Sequence, residues 1–473
     1  MSKIYLFGIG GTGSRVLRAL TMLLASGVDC GRNTIVPIII DPDLSAADLT
    51  RTVELLKRYA QVRSKLDFSQ GTKNRFFQTD ILEQVQGYRM PLNDKTVNCK
   101  FETYLGLNNM SDENAALMRM LFSEKNLDSD MNVGFKGNPN IGSVVLNQFQ
   151  QSAEFQQFAN GFQQGDRIFI ISSIFGGTGA SGFPLLLKTL RHNTKMPNNG
   201  LINNAVIGAT SVLPYFGVQP DDNSAIDSTT FISKTKSALS YYERNISNIN
   251  AIDYLYYIAD NVHDTYENSE GGSTQRNKAH MVELWAALSV IDFARNSERR
   301  QVTQHKEFGT KEVHDPLIFD DLGNETKRMI AQPLTQMALF AQYMKERIMT
   351  SCDTQPWAKD HKLQHQFMQS NFVNALTFVF ENEDSGFLGW LEEMSENKRS
   401  FAPFQWDNKK DDISIVRGKE VNYGLFSSKG FAYFDSKLNE ASKRADKNYT
   451  SEQKFMEFFF AATETIVKDK FNF

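Results

Sequence analysis

The sequence predicts an α/β fold: a parallel sheet flanked by helices, then a long buried core helix, then a second domain that is α+β or helix-rich. Three observations carry that expectation. Apolar runs of strand length alternate with helical segments as far as Asn261. Two of those strands run directly into glycine-rich turns that open helices, and from Lys278 the alternation gives way to a stretch that is apolar on nearly every side. Continuous apolar strands separated by helices are the mark of a parallel sheet covered on both faces.

Each element follows from its local pattern. Tyr5–Phe7 reads as a buried strand and Ser14–Ser26 as its helix. "TIVPIIID" is a second strand, followed by a helix in "LSAADLTRTVELLKRYAQ". "DRIFIISSI" and "GFPLLLKTLRH" form a third pair, "NNAVIGATSVL" and "TTFISKTKSALSYYERN" a fourth, and "IDYLYYIADN" a fifth strand. "HMVELWAALSVIDFA" carries Met281, Val282, Leu284, Trp285, Leu288, Val290, Ile291 and Phe293, so protein must wrap it all round. Beyond it, "TKRMIAQPLTQMALFAQYMKERIM" reads as a helix with Pro333 as a possible kink, "NALTFVFENE" as a strand, and "SEQKFMEFFFAATETIVKDKF" as an amphipathic tail helix.

Composition narrows the class. At 473 residues the chain has length for two or three domains, and 41% hydrophobic with 22% charged residues is ordinary for a globular protein. A net charge of -4 with dispersed Lys and Arg gives no nucleic-acid surface. Cys30, Cys99 and Cys352 stand far apart, which fits neither a disulfide framework nor a CxxC zinc site and suggests a reducing cytoplasm. The opening apolar run is too short for a secretion signal, and none approaches the roughly 20 residues that span a bilayer.

The glycines carry the chemistry. In "GIGGTGS", Gly8, Gly10, Gly11 and Gly13 make a turn between strand and helix of the kind that crowds amides around an anion, although helix–strand packing alone also explains such a turn. Asp41 and Asp43, in "DPD" at the end of the second strand, are placed to meet a ribose hydroxyl or a metal-bound water, with a capping role for Asp43 equally open. "GFKGNPNIGS" is a second loop, with Gly137 and Asn138 at its centre. "FGGTGASG" is the third. The amides of Gly176, Gly177, Thr178, Gly179, Ala180 and Ser181 predict a nest at a helix N-terminus, without the lysine of a P-loop.

Taken in order, these stretches resemble the tubulin/FtsZ superfamily, and most nearly its divergent bacterial tubulin-like group. "FGGTGASG" is similar to that family's GGGTG[ST]G phosphate signature, with Phe175 for the first glycine, Ala180 for the Ser/Thr and Ser181 for the last glycine. "FGIGGTGS", including Gly10, Gly11, Thr12 and Gly13, resembles its first nucleotide loop, "IIIDPDLSA" its second, and "GNPNIG" its γ-phosphate segment. "YYIADN" resembles the strand whose terminal Asn reads guanine, here Asn261, and the core helix implies Asn277 and His280 beside the base. "LPYFGVQPDDNS" falls where the family contacts ribose, which implies Asp222, although the same residues are a turn signal needing no ligand.

The resemblance implies a nucleotide-binding domain over 1–275, a core helix over 276–296 and a C-terminal domain over 297–473. It also implies GTP, hydrolysed to GDP with Mg2+, a cytoplasmic location, and head-to-tail self-association into filaments, with an adaptor as a further partner. Hydrolysis in the family is completed by acids from the neighbouring subunit, for which the candidates are Asp320, Asp321 and Glu325 in "IFDDLGNETKR"; a capped helix start explains the same residues. Two other readings stay open: a nucleotide-binding structural subunit that does not hydrolyse, and an adenylating enzyme of the ubiquitin-activating/ThiF type. The second rests on "GIGGTGS…DPDLSAADLTR" alone. Adenine in place of guanine also remains open.

Overall fold

The computed structural model describes residues 2–473 except 32, 70, 93–95, 97, 132–133, 136, 221–230, 268–270, 274, 296–297, 310–314, 407–410 and 425–427. The chain opens β1 (Ser2–Ile9), α1 (Gly10–Ala25), β2 (Asn33–Ile40), α2 (Ala47–Arg63) and β3 (Asp80–Ile81). A series of helical segments, among them a ten-residue helix at Asp112–Leu121, then leads to α3 (Pro139–Val145) and α4 (Ala153–Gly161). β4 (Arg167–Ser173), α5 (Gly177–His192), β5 (Ile207–Val212), β6 (Phe216–Val218), α6 (Phe231–Tyr242), β7 (Tyr254–Ile258) and β8 (Asp264–Tyr266) follow. The core helix is α7 (Met281–Arg295), and β9 (Gln304–Phe308) comes after it.

Among the described residues seven strands form one sheet in the order β3-β2-β1-β4-β5-β7-β9, every pair parallel. β6 and β8 form a separate parallel pair. The sheet therefore extends past residue 297, because β9 joins it beside β7. Pro37 sits inside β2 without breaking it. The flanking Ile35 and Ile39 carbonyls accept bonds from the β3 side, from Leu82 and Met90, so the missing N–H at Pro37 faces the gap beyond the two-residue β3.

Alternation along β1 sets the two helical layers. Tyr5 and Phe7 meet Phe158 of α4, with ring centroids 5.0 Å apart in each case. On the other face Gly8 packs under Leu17 of α1. α7 lies on the α1 side, where Phe293 meets Phe169 of β4 at 5.0 Å. Thirteen of the fifteen residues of α7 are buried, as its all-round apolar sequence requires. Its C-terminal end stands at the start of the strands, since Asn33 and Arg167 donate to the Ala294 carbonyl, and Arg167 also to that of Phe293.

The C-terminal region is helix-rich: α8 (Asn324–Glu346), α9 (Asn371–Glu381), α10 (Phe387–Ser395), α11 (Gly430–Ser442) and α12 (Ser451–Lys470), with shorter helices between. Its core is aromatic, with Phe340 stacked on Phe459 at 4.1 Å. Pro333 lies within α8, which continues through it. "NALTFVFENE" is helix α9 rather than the expected strand. Ser370 caps it, and Phe372, Val373, Leu376, Val379 and Phe380 bury one helical face, so position on the face outweighs the β-propensity of the residues.

Candidate functional site

Strands β1 and β4 are neighbours, and each feeds a 16-residue helix through a glycine turn, so the N-termini of α1 and α5 come side by side. Neither helix has a side-chain cap. Their first-turn amides are thus left for another acceptor. The two turns touch. Gly10 has φ +71°, and a Cβ there would lie 3.3 Å from the Thr178 Cβ. A Cβ on Gly177 would lie 3.1 Å from the Asn138 nitrogen and 3.2 Å from that of Gly137, so the "GNPNIG" loop closes on the same place.

Together they line one cleft with about 1070 Å³ of empty space, counting its open mouth. Gly10, Gly11, Thr12, Asp41, Asp43, Gly137, Gly176, Gly177, Thr178, Gly179 and Asn277 all reach it. Among the described residues no group of three or more His, Cys, Asp or Glu is arranged to hold a metal ion.

Sequence reasoning missed a second set of lining residues. Phe135, Phe175, Phe216 and Phe231 form an aromatic wall, with Phe175 and Phe231 centroids 5.1 Å apart. Phe175, the one aromatic among the three departures from the signature that the loop resembles, was the local signal of it. Arg15 and Asp48 also line the cleft. Arg15 is almost fully buried and bonds Glu283 Oε1 and Asp48 Oδ2, both at 2.5 Å, and Tyr215 at 3.0 Å. It places a fixed guanidinium beside Gly11, in a site that lacks a lysine from the loop. Glu267 and Gln275 add polar groups near Asn277.

The two acids that follow β2 have different hydrogen-bond partners. Asp43 accepts from Ser45 Oγ at 2.7 Å and from the Gly272 amide at 2.5 Å, so it holds the turn before α2 and a distant loop. It is not the cap of α2, which starts after Ala46. Asp41 accepts one bond, from the Asp43 amide at 3.0 Å. Burial pushes its pKa up to about 7, with Asp43 and Asp48 adding to the rise against that amide bond.

Other expected residues lie elsewhere. Gly13 and Ala180 are inside the first turns of α1 and α5; the Ala180 amide donates to the Gly176 carbonyl at 3.3 Å. Ser181 is buried and donates to the Gly177 carbonyl at 2.6 Å, so its hydroxyl serves the helix. Asn138 starts α3 next to Gly177 without lining the cleft. Asn261 is exposed after β7, outside the cleft lining. His280 is buried; burial drives its pKa down to about 4, and its Nδ1 accepts from the Val282 amide at 3.1 Å. It is a neutral cap of α7 rather than a base contact. Asp222 lies outside the described residues.

The candidate catalytic acids are also engaged. Asp321 accepts from the Ile318 amide at 2.8 Å, closing a short helical turn over Phe319–Asp321. Asp320 pairs with Lys327 and, at 3.1 Å, with Lys419, and those bonds hold its carboxyl below the usual range. Glu325 is exposed in the first turn of α8. β9 runs parallel to β7 and returns the chain toward the cleft end of the sheet. There Leu317 bridges Phe401, two residues from Arg399, which pairs with Asp260 just past β7. A head-to-tail neighbour would present the opposite end.

No protein-family model matches the chain, and no curated protein matches it. Solved structures that are similar in part include two tubulin-like proteins named CetZ. One is CetZ from Methanosaeta thermophila, 16% identical over 55% of this chain and 46% of that one, with TM-score 0.28. The other is CetZ2 from Haloferax volcanii, described as a GTPγS-bound protofilament, 14% identical over 55% and 49%, with TM-score 0.28. The chain thus spans about half the length of each. A likeness so distant carries no weight of its own. The fold is a parallel sheet between helical layers, a buried core helix and a helix-rich C-terminal region, the architecture the sequence implied. No helix of the described residues is long and apolar enough to cross a membrane.

Proposed function

We propose that this is a tubulin/FtsZ-like nucleotide-binding protein that clasps one GTP between its two glycine loops and self-associates head to tail. The supporting observation is the meeting of two uncapped helix N-termini, on adjacent strands, in a single cleft. Amides and helix dipoles there favour a polyanion. The "GNPNIG" loop and the Arg15 guanidinium flank it. Asn277, Gln275 and Glu267 offer the mixture of donors and acceptors that guanine's edge requires, and the phenylalanine wall offers an apolar face for a ring. Mg2+ would supply further charge neutralisation for the phosphates; Asp41 and Asp43 are two of the four carboxylates among the described residues that line the cleft and would face it, Asp48 being paired with Arg15 and Arg51 and Glu267 being the fourth.

A non-hydrolysing nucleotide-binding subunit is the second reading, and one observation favours it: Asp320 and Asp321 are both committed to local partners at the cleft end. The adenylating reading is weaker, because it assigns no task to the "GNPNIG" and "FGGTGASG" loops. Gentle purification followed by mass analysis tests the ligand, with guanine nucleotide expected and an empty or adenylate-bearing protein counting against the proposal. Light scattering with GTP and with a slowly hydrolysed analogue tests assembly, phosphate release tests hydrolysis, and pyrophosphate exchange with a carboxylate acceptor tests adenylation.

A further inference from the structure

Asn277 arrives in the cleft on the segment 276–279 that leads into α7, and the partners of that segment are largely in the C-terminal region. Arg276 pairs with Asp384, and with Glu393 at 3.6 Å. Lys278 pairs with Glu396 at 2.7 Å. The Ala279 amide donates to Glu393 Oε2 at 2.7 Å, and its carbonyl accepts from Asn397 Nδ2 at 2.8 Å. Even the bond from the sheet side depends on the same carboxylate. Arg51 donates to the Asn277 carbonyl at 2.6 Å, while its other nitrogen donates to Glu393 Oε1 at 2.9 Å. Arg18 of α1 completes the cluster at 2.8 Å from Glu393.

The contacts also fix where Asn277 stands along the cleft. Gly177 abuts Gly137, Thr178 abuts Gly10, Gly11 abuts Arg15 and Asp48, Asp48 pairs with Arg51, and Arg51 holds Asn277. Amides gather at the first end of that series, and Asn277 is at the other. An anion seated on the amides leaves the rest of its molecule toward Asn277.

We infer that α10 and the bend that follows it are a positioning element for the far end of the cleft: Glu393 of α10 and Asn397 of that bend fix the segment bearing Asn277, so recognition of the ligand's base is linked to the seating of α10. The inference rests on the nucleotide reading of the cleft. Linkage is reciprocal, so a ligand that uses Asn277 stabilises α10 in return.

The test titrates GTP and inorganic triphosphate against the full chain by calorimetry, for the parent, Glu393→Gln and Asn397→Ala. Asn397→Ala removes the bond to the Ala279 carbonyl together with a long one, at 3.4 Å, from the Tyr266 hydroxyl, and leaves Arg18 and Arg51 paired, so it reports even if Glu393→Gln fails to fold. The expected result is GTP binding weakened about five- to tenfold in Asn397→Ala, the size of one lost hydrogen bond, with inorganic triphosphate binding unchanged. Hydrogen exchange in residues 387–395 should slow with GTP and not with inorganic triphosphate. Equal weakening of both ligands, or of neither, overturns the inference. A parent that binds inorganic triphosphate but not GTP overturns it too, whereas a parent that binds neither removes the nucleotide reading itself.

Discussion

Replacing Asp41 by Asn should stabilise the nucleotide-free protein, and by more as the pH rises. Asp41 is buried at the end of β2, where its carboxyl is pushed up to about 7. In the unfolded chain it titrates near the ordinary value of about 3.9. A folded-state pKa raised above the unfolded one means the folded state resists ionisation. Stability is therefore undiminished below about pH 4, declines as the pH climbs toward 7, and levels off beyond. At about 1.4 kcal/mol per unit, the shift of roughly three units costs about 4 kcal/mol at pH 8 and about 1.5 kcal/mol at pH 5. Asn has the same shape, cannot ionise, and keeps a carbonyl oxygen for the Asp43 amide. Urea unfolding at pH 5 and pH 8 reads the difference directly. The variant should gain about 2–3 kcal/mol more at pH 8 than at pH 5. An equal gain at both, or a larger one at pH 5, would refute the reasoning.

Three further outcomes follow from contacts elsewhere. Gly13→Ala would put a Cβ 2.5 Å from the carbonyl carbon of Gly8 and 3.2 Å from the Ile171 oxygen, both backbone. Separating α1 from β1 should cost about 3 kcal/mol or more, visible as a lower melting temperature. Asp253→Asn weakens a buried hub that accepts from the Ile207 amide, the Arg300 amide and Arg191 at 2.9, 2.8 and 3.1 Å. The expected loss is about 3–5 kcal/mol, measured by denaturant unfolding. Asp320→Asn breaks only partly exposed pairs, so stability should change by less than about 1 kcal/mol and nucleotide turnover by no more than about twofold. A loss of turnover of about a hundredfold would return Asp320 to a catalytic role.

The sheet was legible in the sequence because buried parallel strands such as "IYLF" and "TIVPIII" are unbroken apolar runs, and because the glycine turns mark where two of them end. The amide-lined part of the cleft was legible for the same reason. Arg15, Asp48 and Glu393 were not, since Arg15 meets Glu283, and Arg18 meets Glu393, across hundreds of residues and without a local pattern. The residues expected beside a base follow from position in a motif, which cannot tell an inward side chain from an outward one. Asn277 reaches the cleft, while Asn261 faces solvent and His280 caps a helix. In "IFDDLGNETKR" both available readings were in view, and the local bonds of Asp321 are those of a helix start.

Equilibrium binding of GTP to the parent, Gly10→Val and Gly177→Val decides whether the two glycine turns share one ligand. One site per chain is expected, with either substitution alone abolishing it, because Gly10 and Gly177 belong to loops that meet over a single cleft. Two independent sites, each lost with only one of the substitutions, would contradict the account.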